Sequence, residues 1–149
     1  MRLIVLAAAA LFAAGAAFGF DAAGVDIIGL RLGMEEAEVV SQLKHQGIAA
    51  TESGETISAK TMDGRLQIAL SAERTVTEIR YVFGGRGQGG PARVREAILT
   101  HFGDPNQADP PAWCREVGPN GHCPADQASL TFDLASLTLV LRVPADPAQ

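Results

Sequence analysis

The chain has 149 residues, of which 47% are hydrophobic and 19% charged, with 12 Lys and Arg against 17 Asp and Glu for a net charge of −5. Such a length suits one domain, which buries about two-thirds of its unfolded surface and does not depend on disulfide staples to fold. An acidic balance with no arginine-rich run and no basic patch interleaved with aromatics argues against nucleic acid or anionic lipid as a partner.

Residues 1–20 read as a signal peptide ahead of a single exported domain, 21–149. Arg2 is a short positive region, Leu3 to Phe12 is apolar, and Ala14-Gly15-Ala16 and Ala17-Phe18-Gly19 both match a small-x-small cleavage pattern. Cleavage is expected, and it leaves a still more acidic remainder. The alternative is a membrane anchor: the uncharged run from Leu3 to Phe20 sits at the lower edge of a spanning length. No later stretch is long and apolar enough to span, so no stable membrane span is expected after cleavage. The expected location is the periplasm or the exterior.

Asp26 to Gly47 is the stretch around which the rest of the chain is organised. An apolar run (Val25, Ile27, Ile28, Leu30, Leu32) meets Gly33-Met34, and helical spacing begins. With Glu35 as N-cap, Met34 and Val39 can form a hydrophobic staple and Glu38 takes the capping-box position. Glu35, Glu36 and Glu38 face the positive end of the helix dipole, which explains them better than catalysis or metal binding does. Val39, Val40 and Leu43 share a face, and Gly47 suits the left-handed residue after the last turn.

The period then changes from 3.6 to 2. Ile48 to Thr51 and Thr56 to Thr61 are short strands around Glu52-Ser53-Gly54-Glu55. Asp63-Gly64 signals a tight turn, after which Leu66, Ile68 and Leu70 point one way. Thr75 to Phe83 is the longest strand, with Ile79, Tyr81 and Phe83 inward and Glu78 and Arg80 outward. Clean alternation implies an antiparallel meander with one wet face. Residues 84–90 form a glycine-rich linker. Pro91 opens a second helix through Val94, Ile98 and Phe102, stopped by Gly103 and Pro105. Residues 104–127 read as a proline-rich loop carrying Trp113, Cys114 and Cys123. Leu130-Phe132-Leu134 and Leu137-Leu139-Leu141-Val143 form a last hairpin, and Pro144 to Gln149 should fray. The predicted fold is α+β in two layers: two helices on one face of an antiparallel sheet, in the order helix, meander, helix, hairpin. Gly33-Met34…Leu43 and Gly90-Pro91…Leu99 also hint at an internal repeat.

Two cysteines in an exported chain predict a Cys114–Cys123 disulfide, closing a loop of about ten residues worth roughly 2–3 kcal/mol. A metal set of Cys114, Cys123, His122 and His101 lacks Cys-x-x-Cys spacing and a clear geometry, so no metal is expected. Gly85, Gly87 and Gly90 match G-x-G-x-x-G, but the strand before them alternates and no parallel strand comes after, so no dinucleotide cofactor is expected. His45, His101 and His122 are scattered, and neither G-x-S-x-G nor H-E-x-x-H occurs. Tyr81 reads as core. Trp113, beside Cys114, plugs the sheet edge, caps the disulfide or contacts a partner.

Gly33-Met34 followed by Val39 and Leu43, and again Phe102-Gly103-Asp104-Pro105, resemble the small exported domains of the BamE-like (SmpA/OmlA) and β-lactamase-inhibitor-protein-like group. The resemblance implies a two-layer domain used to bind other proteins. The chain departs from the pattern in lacking a lipidation cysteine and in placing Glu35 where Ser or Thr is favoured. It transfers no functional residue. The expected function is a non-enzymatic protein-binding module for another envelope or extracellular protein, using the open sheet face or the Trp113 loop. The alternative is a small periplasmic ligand carrier or hydrolase whose site assembles only in three dimensions.

Overall fold

A computed structural model describes residues 20–84 and 90–145. Most of the expected signal peptide (1–19), the centre of the glycine-rich linker with Gly85 and Gly87 (85–89), and the end of the tail (146–149) lie outside the described residues. Among the described residues no helix is long and apolar enough to cross a membrane.

The alternation read in the sequence builds a sheet larger than expected. Strands β1 (Ala50–Ser53), β2 (Thr56–Lys60), β3 (Gly64–Leu70) and β4 (Val76–Phe83) run as a meander. Beyond it come β5 (Ala112–Cys114), β6 (Ser129–Asp133) and β7 (Thr138–Arg142). All pair antiparallel in one seven-stranded sheet of order β1-β2-β3-β4-β7-β6-β5. β7 docks on β4, so the hairpin extends the meander backwards. The two helices are α1 (Glu36–His45) and α2 (Gly90–Phe102).

The predicted helix–meander–helix–hairpin arrangement, with two helices covering one sheet face, is therefore corrected. The α+β content is present, but the chain is chiefly this sheet, and the helices add few buried groups: Val39 and Leu43 from α1 and Ile98 from α2. The span 104–127 is not all loop. It supplies β5, a strand too short and too closely preceded by prolines to show a period of its own.

The core is built across strands rather than along them. Ile57, Ile68, Ile79, Leu141, Leu130 and Trp113 are successive cross-strand partners over six strands. Five of the six are wholly buried and Trp113 is 2% exposed. A second row runs Ala59, Leu66, Tyr81, Leu139 and Phe132. Each large side chain so buried contributes about 1.5–3 kcal/mol. A bulge between Ala69 and Leu70 shifts the register, which keeps Val76 and Ile79 on the same inward face although they are three apart. The opposite face carries Ser58, Gln67, Arg80 and Thr131 and is the wet one.

α1 is fixed at both ends. Its N-cap is Glu35, whose side chain makes no capping bond. Support comes from elsewhere: Gly33 donates to the Val76 carbonyl, Val76 donates back to Met34, and Glu36 N–H donates to Arg74 O. The Glu36 carboxylate receives the Arg74 guanidinium in a two-pronged pair, with Nε at 2.8 Å, and Arg74 also donates to Gly54 O at 2.7 Å. At the far end Gly47 (φ 73) donates to Lys44 O and Ile48 donates to Leu43 O, the double closure of a Schellman cap.

The two sheet edges differ. β5 is closed on its outer side: Ala112 and Gln107 exchange backbone hydrogen bonds, and the Asn106 amide accepts from Cys114 N–H and donates to Cys114 O. The Gln107 side chain donates to Pro110 O and accepts from Cys123 N–H. β1 pairs with β2 alone among the described strands, and all four of its residues are exposed.

Candidate functional site

A cleft of about 1100 Å³ lies between α2 and the end of the sheet where β2 turns into β3. The spacing that makes α2 amphipathic points Val94, Ala97, Ile98 and Phe102 into it. The sheet contributes Val82, Phe83 and Leu139. Only Ile98 of the α2 group is fully buried, while Val94 and Phe102 are half-covered and Ala97 is exposed. The hydrocarbon floor is thus left open where α2 would otherwise close on the sheet.

The β2–β3 turn forms one wall and is held rigidly. Thr61 N–H donates to Gly64 O at 2.9 Å, and the Thr61 hydroxyl shares a 2.6 Å hydrogen bond with the Tyr81 hydroxyl. A side chain at position 64 would collide with the Val82 carbonyl oxygen, so only glycine lets β3 lie this close to β4. Gly84 N–H closes the wall by donating to Asp63 O at 2.7 Å. The turn spans four residues between the paired Lys60 and Arg65, longer than the Asp63-Gly64 signal alone suggests. It leaves Met62 fully exposed at the cleft. Polar groups complete the rim: Lys60, Arg65, Arg93 and His101, with Asp63 the one carboxylate among the described lining residues.

Sequence reasoning did not single out this cleft, because its parts lie on elements far apart in the chain. Lys60 and Arg65, cross-strand partners that flank the turn, share the wet face with Ser58 and Gln67 and reach the cleft only at its rim.

The predicted site residues lie elsewhere. Cys114 and Cys123 form the expected disulfide, with Cα atoms 5.8 Å apart. This removes both sulfurs from the alternative metal set, and among the described residues no three His, Cys, Asp or Glu side chains gather as a metal site requires. Trp113, considered as a partner contact, is buried. Its indole N–H donates to Gly103 O at 3.1 Å and its ring lies 5.9 Å from that of Phe102. It plugs the sheet edge and meets the cleft only through Phe102. Gly90 opens α2 after a strand that is antiparallel to both neighbours, so the G-x-G-x-x-G match lacks the parallel sheet it needs.

Two carboxylates outside the cleft titrate below their usual range. The Arg74 hydrogen bonds hold Glu36 down. The Ser136 hydroxyl, helped by the Ala135 N–H, does the same for Asp133 in the β6–β7 turn. Both are structural: one ties α1 to the β3–β4 turn and the other shapes a hairpin.

Comparison with known proteins finds no matching family model, no matching curated protein and no matching solved structure, so the BamE-like resemblance rests on its two short motifs.

Proposed function

We propose that this chain is an exported binding protein whose α2 cleft takes up a small, largely apolar ligand. The observation that carries the reading is the cleft itself: about 1100 Å³, floored by hydrocarbon and rimmed by a few charges. Small-molecule sites have this make-up, with apolar walls for affinity and sparse polar groups for orientation. The disulfide and the signal-like residues 1–20 support export to an oxidising compartment, the periplasm or the exterior.

Titration with the neutral apolar dye Nile red tests the reading. The intact chain should bind it saturably. Ala97→Trp, which fills the cleft from an exposed helix position, should weaken binding at least tenfold with the unfolding temperature held. Equal binding by the two proteins would remove the cleft from the account.

A protein partner is the second reading, and β1 favours it. An exposed edge strand offers its backbone for strand addition, with affinity from main-chain hydrogen bonds. The partner would then meet the edge rather than the Trp113 loop.

A further inference from the structure

Building on the β1 reading of a protein partner, we infer that the strand added there is an extended acidic segment of another protein. Its carboxylates stand at alternate positions and face Lys60 and Arg65 on the wet side of the sheet.

Charge gives the sign of the partner. Thr51 pairs with Ser58, Ser58 with Gln67 and Lys60 with Arg65, all on the wet face. With Ala49 they line a shallow depression of about 420 Å³ that reaches β1. Its described lining holds two cations and no carboxylate, although the whole chain stands at −5. The acids farther along this face are already engaged: Glu78 accepts from Arg80, and Asp133 accepts from Ser136. Among the described residues neither Lys60 nor Arg65 takes part in an ion pair.

Register brings those cations within reach of the edge. Like charges set directly across two strands are destabilising, so Arg65 favours a Lys60 ammonium turned away from it. One step beyond the Ala50–Ala59 pair, Ala49 stands beside Lys60 and offers only a methyl group in the way. A strand added to β1 lies two spacings from β2, about 10 Å. A lysine and a glutamate side chain close that gap between them.

The edge itself is unguarded. β1 contains no proline, its pairing with β2 is unbroken by a bulge, and all four of its residues are exposed. Its one charge, Glu52, pairs with Ile57 and so belongs to the inward side. Glu52 disfavours acids at the intervening positions of an incoming strand, which leaves carboxylates to the wet side alone. A second copy of this chain suits the edge less well. With the two β1 strands overlapped and both wet faces on one side, its Glu52 comes opposite this one or a diagonal step away. Main-chain hydrogen bonds then supply the affinity, and the two cations select the partner.

Peptide titration separates the acidic assignment from the edge reading on which it rests. The full chain is titrated calorimetrically at neutral pH and low salt with the capped peptide Thr-Glu-Val-Glu-Val-Glu-Thr, and with its counterpart carrying lysine for each glutamate. The glutamate peptide should bind at least fivefold tighter. The double substitution Lys60→Gln, Arg65→Gln should abolish that preference. Of two forms of the glutamate peptide N-methylated at alternate residues, one at odd and one at even positions, one should lose binding and the other should stay within threefold. Equal affinities, or preference for the lysine peptide, would overturn the acidic assignment and leave the edge reading standing. A glutamate preference that survives the double substitution would overturn the placing of the carboxylates at Lys60 and Arg65. Equal effects of the two methylations would overturn strand addition. Absence of binding by both peptides would overturn the edge reading along with the inference. Dimerisation of the chain alone, seen as hydrogen exchange in Ala50–Ser53 slowing with rising concentration, would give the edge to a second copy and overturn the inference. Because the comparison among peptides uses the unaltered protein, it stands even if the double variant fails to fold.

Discussion

α1 and α2 are each followed by a glycine that closes the helix, yet the molecule treats them differently. α1 carries Glu36 and Glu38 in its first turn, buries Val39 and Leu43 completely, and is clamped through Arg74 to the β3–β4 turn. α2 has no acid in its first turn, buries Ile98 alone, and lines the cleft with Val94, Ala97 and Phe102. Equal amphipathicity does not mean equal packing. A stripe met fully by the sheet is a structural helix, whereas one that stands off from it offers an apolar wall to something else.

The largest expected effect tests that contrast directly. Leu43→Ala removes a wholly buried side chain and should lower stability by about 2–5 kcal/mol in chemical denaturation. Val94→Ala, half-covered at the cleft, should cost roughly 1 kcal/mol. Similar losses at the two positions would show that α2 is as tightly seated as α1.

Next in size is the disulfide. Reduction, or Cys114→Ser with Cys123→Ser, should cost about 2–3 kcal/mol from the loop it closes. The effect should also be local. Trp113 joins the disulfide-bearing strand to the end of α2 through Gly103 and Phe102, so hydrogen exchange should quicken in α2 well before α1. Uniform quickening would break the distinction between the helices.

The smallest effect concerns α1 alone. Its Arg74 bond lowers the folded-state titration of Glu36 below the ordinary value of 4.5. The stabilisation is therefore fully present above that value and is lost as pH falls through the lowered folded one. Unfolding midpoints of the wild type and Glu36→Gln should converge on the acid side of 4.5 and separate toward neutral pH. A gap unchanged with pH would show that the pair does not titrate as its geometry requires.

The features legible in the sequence came from local rules. The meander came from period-2 alternation at Leu66, Ile68 and Leu70, and the end of α1 from Gly47. The disulfide came from two cysteines in a chain read as exported. The illegible features depended on pairing. β5 has only three residues and takes its identity from β6, so no window shows it. The return of β7 to β4 is a choice of partner that hydrophobic pattern does not specify. Lys60 and Arg65 look like ordinary surface charges until register sets them face to face. The void under α2 arises from how far a helix stands from its sheet, which periodicity does not encode.

The asymmetry of the two sheet edges bears on self-association. Asn106 and Gln107 occupy the hydrogen-bonding groups of Ala112 and Cys114, so that flank cannot recruit a neighbour. Among the described strands, the β1 flank is the one left open. If two copies met there, each would present its blocked side outward, and growth would halt at a two-fold dimer instead of running on into a fibre.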